Sequence, residues 1–136
     1  MIDVAYIALG SNLGDRHAHL TRARAALAAL PGSRLLGESS IEETEPLGHL
    51  DQPHYLNQMV ALETSLTPRE LLTRLHEIEA QAGRMRDVRW GSRTLDLDIV
   101  CFDRQAAQEP GLRVPHPELA HRPFWQRELA ELKRIG

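Results

Sequence analysis

Cysteine is almost missing. The 136-residue chain carries one, Cys101, which excludes an internal disulfide framework and any zinc site built on cysteines. It sits in an apolar run, where a small buried side chain in reducing surroundings is its expected role. Long hydrophobic runs are missing as well. No stretch approaches the ~20 apolar residues of a membrane-spanning helix, and Met1-Ile2-Asp3 does not open a secretory signal, so a cytoplasmic protein without a membrane partner is expected. There is no excess of positive charge either. Sixteen basic against 19 acidic residues leave a net charge of −3, which argues against nucleic acid held by a generally basic surface. Lysine is the last shortage. Lys133 alone among the basic residues is a lysine, so positive charge arrives on arginine, whose planar fork grips phosphate or carboxylate in bidentate fashion. A biased genome composition would produce the same substitution.

What is present fits one domain over residues 1–136. Hydrophobic residues make up 42% and charged residues 26%, close to the averages for a folded soluble chain long enough to build a single core. Val4 to Leu9 is an apolar run ended by Gly10-Ser11-Asn12-Leu13-Gly14-Asp15, which reads as a buried strand, a turn and the start of a helix. Leu20, Ala23, Leu27 and Leu30 recur at helical spacing until Pro31-Gly32 stops them. Ser33 to Thr44 and Tyr55 to Thr64 read as strands joined by a long polar loop. Thr67-Pro68-Arg69-Glu70 combines a capping threonine, proline at the first helical position and glutamate three residues after the cap. A helix therefore starts there and runs to Gly83, with Glu79 on the edge of its apolar stripe. Thr94 to Phe102 is the fourth strand. Pro115, Pro117 and Pro123 break the tail, leaving Glu128 to Arg134 for a final helical turn or two. The order strand, helix, strand, strand, helix, strand predicts an α+β fold of the ferredoxin-like, split βαβ kind, a mainly antiparallel sheet with helices on one face.

Chemistry concentrates in Thr94-Leu95-Asp96-Leu97-Asp98-Ile99. Strand alternation sends Leu95, Leu97 and Ile99 to the core and Asp96 and Asp98 to the opposite face, about 6–7 Å apart. Two neighbouring carboxylates repel unless a cation lies between them, and magnesium takes one or two carboxylates plus substrate phosphates. On spacing alone a solvated sheet edge fits equally well. The preceding residues weigh against that: Arg84, Arg86, Arg89 and Arg93, interleaved with Trp90, supply the fixed positive charge and stacking surface that polyphosphate chemistry needs. Tyr55 and Asn57 share a strand face and offer an aromatic plate and an amide to a flat heterocycle. Gly10 to Gly14 lacks the lysine and spacing of a phosphate loop and reads as structural. The scattered histidines do not make a zinc site, although two prolines hold His116 in a stiff bend.

Together, Ala8 to Asp15, Thr44 to Asn57, Gly83-Arg84-Met85-Arg86, Arg89-Trp90-Gly91-Ser92-Arg93-Thr94-Leu95-Asp96-Leu97-Asp98 and Val114-Pro115-His116-Pro117 strongly resemble the 6-hydroxymethyl-7,8-dihydropterin pyrophosphokinase family, from Tyr6 to about Phe124. The resemblance implies transfer of pyrophosphate from ATP to the hydroxymethyl group of the reduced pterin, giving AMP, in folate biosynthesis. It implies that Asp96 and Asp98 hold two Mg²⁺ ions. Arg84 and Arg93 would steady the transferring phosphoryl oxygens, with Arg86 and Arg89 assisting. Tyr55 and Phe124 would sandwich the pterin, while Thr44, Leu47 and Asn57 meet its edge. Glu79, Trp90, Ile99, His116 and Arg122 would line the ATP site, in a monomer.

Three departures stand out. Asp87 and Ser92 replace a common basic residue and a proline, and the tail from Trp125 to Leu129 is only loosely like the family's ending. A pterin- or nucleotide-binding sensor with weak turnover is the competing expectation.

Overall fold

The computed structural model describes residues 1–45, 54–83 and 94–135. In chain order its elements are β1 (Asp3–Ser11), α1 (Arg16–Ala28), β2 (Ser33–Glu38), β3 (Glu42–Thr44), β4 (Tyr55–Thr64), α2 (Pro68–Gln81), β5 (Asp96–Phe102), β6 (Ala107–Glu109) and β7 (Leu112–Val114). A short 3₁₀ turn over Pro117–His121 then leads into α3 (Pro123–Ile135). The result is an α+β molecule with a mainly antiparallel sheet.

Local chemistry sets most boundaries. Asp15 caps α1 by accepting from the Ala18 amide at 3.1 Å. At the start of α2 the Thr67 hydroxyl accepts from Glu70 N at 3.1 Å, while the Glu70 carboxylate accepts from Thr67 N at 2.8 Å, closing the capping box.

The main sheet runs β2-β4-β1-β5, every pairing antiparallel, and β3 continues the β2 edge by pairing with the start of β4. One strand was expected over 33–44; it is split in two. At the break Ser39 stays tied to β4, donating its amide to Met59 O at 2.8 Å while its hydroxyl accepts from Met59 N at 2.9 Å.

Both faces of the sheet are covered, a correction to the expectation of helices on one face only. Leu20, Ala23 and Leu27 of α1 and Leu71 and Leu75 of α2 pack with Ile7, Leu9, Leu62 and Leu97 on one side. On the other, Trp125 and Leu132 of α3 pack with Tyr6, Ala8, Met59, Ala61, Val100 and Cys101. The tail is thus a full helix rather than a turn or two after Glu128. Pro123 opens it, because proline at the first helical position forfeits no internal hydrogen bond. The β6–β7 hairpin was not anticipated; strands of three residues leave no readable alternation.

Candidate active site

Residues directly opposed in antiparallel strands share a face. Gly10 on β1 opposes Asn57 on β4 and Asp96 on β5, and Ala8 opposes Met59 and Asp98. Asp96 and Asp98 therefore stand side by side on the α3 face, Asp96 in one cross-strand row with Gly10 and Asn57. Leu95, Leu97 and Ile99 are buried in the core on the other side. A register shift opposite Tyr6 and Ile7 interrupts the alternation only beyond Ile99.

Because β5 is an edge strand, its free side borders a cleft of about 420 Å³ between α2 and the β7 segment. Glu79, Asp96, Asp98, Ile99 and His116 all line it. Glu79 is not at the rim of the α2 stripe as expected but buried at 3% exposure. Its carboxylate accepts from Leu97 N at 2.8 Å, gripping the backbone between the two acids. His116 Nδ1 accepts from Glu118 N at 3.0 Å, which leaves the neutral ring's proton on Nε2, 3.9 Å from Asp98 Oδ1. Burial pushes the His116 pKa below the usual histidine range; Asp98 pulls it up and Arg122 opposes that pull. The ring is neutral at pH 7 and presents an N–H to the cleft.

Arg122 and Phe124 flank a residue that the sequence reading placed in a loosely matching tail. Trp125 is 2% exposed. The Arg122 guanidinium lies 4.5 Å from its ring centroid, the His116 ring meets it edge-on at 5.0 Å and the Phe124 ring at 6.3 Å. Trp125 is the shared platform against which all three rest, a role set by tertiary contacts that no local spacing encodes.

At the other end of the row, Thr44 opposes Tyr55, and Asn57 Nδ2 donates to Thr44 Oγ1 at 2.6 Å. With that amide hydrogen committed, Asn57 Oδ1 is fixed in orientation. Arg16 ties the roots of the connecting loop, donating to Glu43 Oε2 at 2.9 Å and to His54 O at 2.7 Å, and this pairing lowers the Glu43 pKa. Thr44, Tyr55 and Asn57 are thereby brought together, across Gly10 from Asp96.

Leu47, Arg84, Arg86, Asp87, Arg89, Trp90, Ser92 and Arg93 lie outside the described residues. Two polar side chains of the cleft, His76 and Arg113, are not singled out by the sequence. His76 follows Leu72 and precedes Glu79 at helical spacing on α2, and Arg113 is the outward residue between buried Leu112 and Val114. Helical periodicity could have found His76; the three-residue strand that carries Arg113 leaves no such signal.

Hard carboxylate oxygens on one face, fixed donors and a cleft beside them suit a phosphorylated ligand. Residues 6–134 match the family model for 7,8-dihydro-6-hydroxymethylpterin-pyrophosphokinase. The chain is similar to the 2-amino-4-hydroxy-6-hydroxymethyldihydropteridine pyrophosphokinase of Bacillus subtilis, 47% identical over 132 residues that cover 97% of this chain and 79% of that protein. It is 45% identical to the protein of the same name from Pseudomonas aeruginosa over 132 residues, 97% of this chain and 82% of that protein. It also resembles the folic acid synthesis protein fol1 of Schizosaccharomyces pombe, 36% identical over 129 residues, 95% of this chain and 18% of that longer one. A match over nearly the whole length, on a chain that sets two acids beside this cleft, shows that it belongs to the 7,8-dihydro-6-hydroxymethylpterin-pyrophosphokinase family.

Proposed function

We propose that the chain transfers the terminal pyrophosphoryl group of ATP to the hydroxymethyl oxygen of 6-hydroxymethyl-7,8-dihydropterin, releasing AMP, in folate biosynthesis. The observation that carries this reading is the cross-strand row. It sets Asp96, with Asp98 beside it, across Gly10 from Asn57, so that a phosphate chain and a heterocycle can meet over the same stretch of sheet.

Asp96 and Asp98 offer hard oxygen donors suited to two Mg²⁺ ions shared with phosphates, which when bound neutralise charge and polarise the phosphorus. The chain's own residues supply alignment. Tyr55 and Phe124 stack the pterin ring, while Thr44, Leu47 and Asn57 read its edge. Glu79, Trp90, Ile99, His116 and Arg122 hold the nucleotide, with the neutral His116 donating from Nε2. Arg84 and Arg93 stabilise charge growing on the transferring oxygens, and Arg86 and Arg89 help to exclude water. The hydroxymethyl oxygen bonds to the β-phosphorus as the bridge to the α-phosphate breaks; that bridging oxygen leaves with AMP, and the hydroxyl proton passes to solvent. No protein nucleophile is needed.

The sheet order and its all-antiparallel pairing support a ferredoxin-like, split βαβ reading of the fold. Helices on both sheet faces support a monomer, because neither face needs a partner to cover it.

Incubation with ATP, Mg²⁺ and the dihydropterin alcohol should yield AMP and pterin diphosphate in equal amounts. Asp96→Ala and Asp98→Ala should each lower that rate about a hundredfold or more. Intact ligand binding with no AMP above a protein-free control would instead support a sensor.

A further inference from the structure

Glu128 lies on the buried side of α3, 1% exposed, and has no role in the chemistry above. No N–H or O–H donor among the described residues reaches either of its carboxylate oxygens. The group it faces is Glu42 of β3, also an acceptor. One Glu42 oxygen is already taken by Arg127, at 2.8 Å from Nη2 and 3.3 Å from Nε, so that carboxylate has a cation beside it. Two carboxylates can bond only if one carries the proton, and Glu128, the buried member without a cation, is the one that must.

The surroundings make this more than a buried oddity. Glu42 opposes Asn57 across β3 and β4, so it extends the same cross-strand row as Gly10 and Asp96. Phe124 stands one helical turn before Glu128 on the same stripe of α3. A little further along, Glu131 accepts from Ser40 N at 3.0 Å and from Ser40 Oγ at 2.9 Å. The side of α3 that carries Phe124 is thus moored to β3 and the residues before it.

We propose that Glu128 is a positioning residue for the pterin half of the site: as a neutral acid it donates to Glu42 and so holds α3, and with it Phe124, at a fixed distance from the Asn57 row. This rests on the pterin reading given above. Burial, with Glu42 adding to it, pushes the Glu128 pKa up to about 9. The charged groups that bear on it are Glu42 from β3 and Arg127 and Glu131 from its own helix. Above that pH a second negative charge would face Glu42 and push the helix off the strand.

The test uses the full chain and three variants. Carbon-13 NMR of glutamate-labelled protein, assigned by the signal lost in Glu128→Gln, should show one carboxyl titrating near pH 9; a midpoint in the ordinary glutamate range overturns the proposal whether or not the protein is active. Steady-state kinetics then read the consequence. Glu128→Ala should raise the pterin KM about tenfold while leaving the ATP KM within about twofold. Glu128→Gln, which keeps a donor for Glu42, should restore the pterin KM at pH 7.5. It should also lose the extra rise in that KM which the unmodified chain shows between pH 8 and about 10, and Glu42→Gln should lose it too. Equal pH dependence in the unmodified chain and Glu128→Gln, or a pterin KM untouched by Glu128→Ala, overturns the positioning role. Absence of turnover in every form, with the raised titration intact, would fault the assigned reaction and not the shared proton.

Discussion

Gly10 lies between Asn57 and Asp96, where the two proposed half-sites meet. A β-carbon built there would stand 3.4 Å from Asn57 Oδ1 and 3.6 Å from Tyr55 Cδ1, ordinary contact distances. Alanine is therefore tolerated by the fold and, by limiting the unfolded chain, can even add about 0.5 kcal/mol. Its methyl would nonetheless project into the strip between Asn57 and Asp96. Gly10→Ala is expected to raise the pterin KM by about tenfold while shifting the melting temperature by no more than about 2 °C. Thermal melts beside steady-state kinetics check this, and an unchanged KM would show that the floor of the site lies elsewhere. Gly32 makes the contrast. Its φ is +64°, and a β-carbon there would collide with Ser65 Oγ, so Gly32→Ala should cost about 1–3 kcal/mol of stability and leave both KM values alone.

Among the elements, α2 was the most legible because its start is written in four consecutive residues. The Thr67 to Glu70 capping box was readable at once and is present atom for atom. Removing it tests how far helix stability and site geometry are separate. Thr67→Ala should cost about 1 kcal/mol, seen as an earlier urea midpoint, yet leave the ATP KM unchanged, since Glu79 sits near the helix's far end and is held by Leu97 N. A raised KM would mean that fraying at the first turn reaches the cleft. The acid pair was legible for a similar reason: strand alternation is local, and Leu95, Leu97 and Ile99 leave Asp96 and Asp98 one face to occupy. α3 was not legible. Its buried stripe runs Trp125, Glu128, Leu132, and an acid in that stripe reads from sequence as a solvent-facing residue. The three prolines before it also suggested broken chain where one of them in fact opens a helix. The row joining Glu42, Asn57, Gly10 and Asp96 depends on register across four strands, which no local pattern encodes. The arginine segment stands out in the sequence but lies outside the described residues, so its part in the site rests on family resemblance.

For the whole molecule, these ionisable groups should shape the dependence of stability on pH. Arg16 lowers the Glu43 pKa and the α2 cap lowers that of Glu70, so both contribute stability above the usual glutamate range and lose it as acid protonates them. His116, buried neutral, acts in the same direction: its contribution is present above the ordinary histidine range and falls as the pH drops through its lowered pKa. Glu128 runs the other way. With its folded pKa raised to about 9, the native state holds a proton that the unfolded chain has released, so this contribution is complete below about pH 4 and is lost as pH rises toward about 9. One such proton sets a ceiling of about 1.4 kcal/mol per pH unit over that window. A glutamine at 128 holds its donor at every pH. Melting temperatures of the unmodified chain and Glu128→Gln should therefore coincide near pH 4 and separate steadily between about pH 5 and 8, with the glutamine form higher by several degrees at pH 8. Parallel curves across that range would mean that Glu128 is ionised in the folded protein, and that α3 is moored by the Arg127–Glu42 and Glu131–Ser40 contacts without its help.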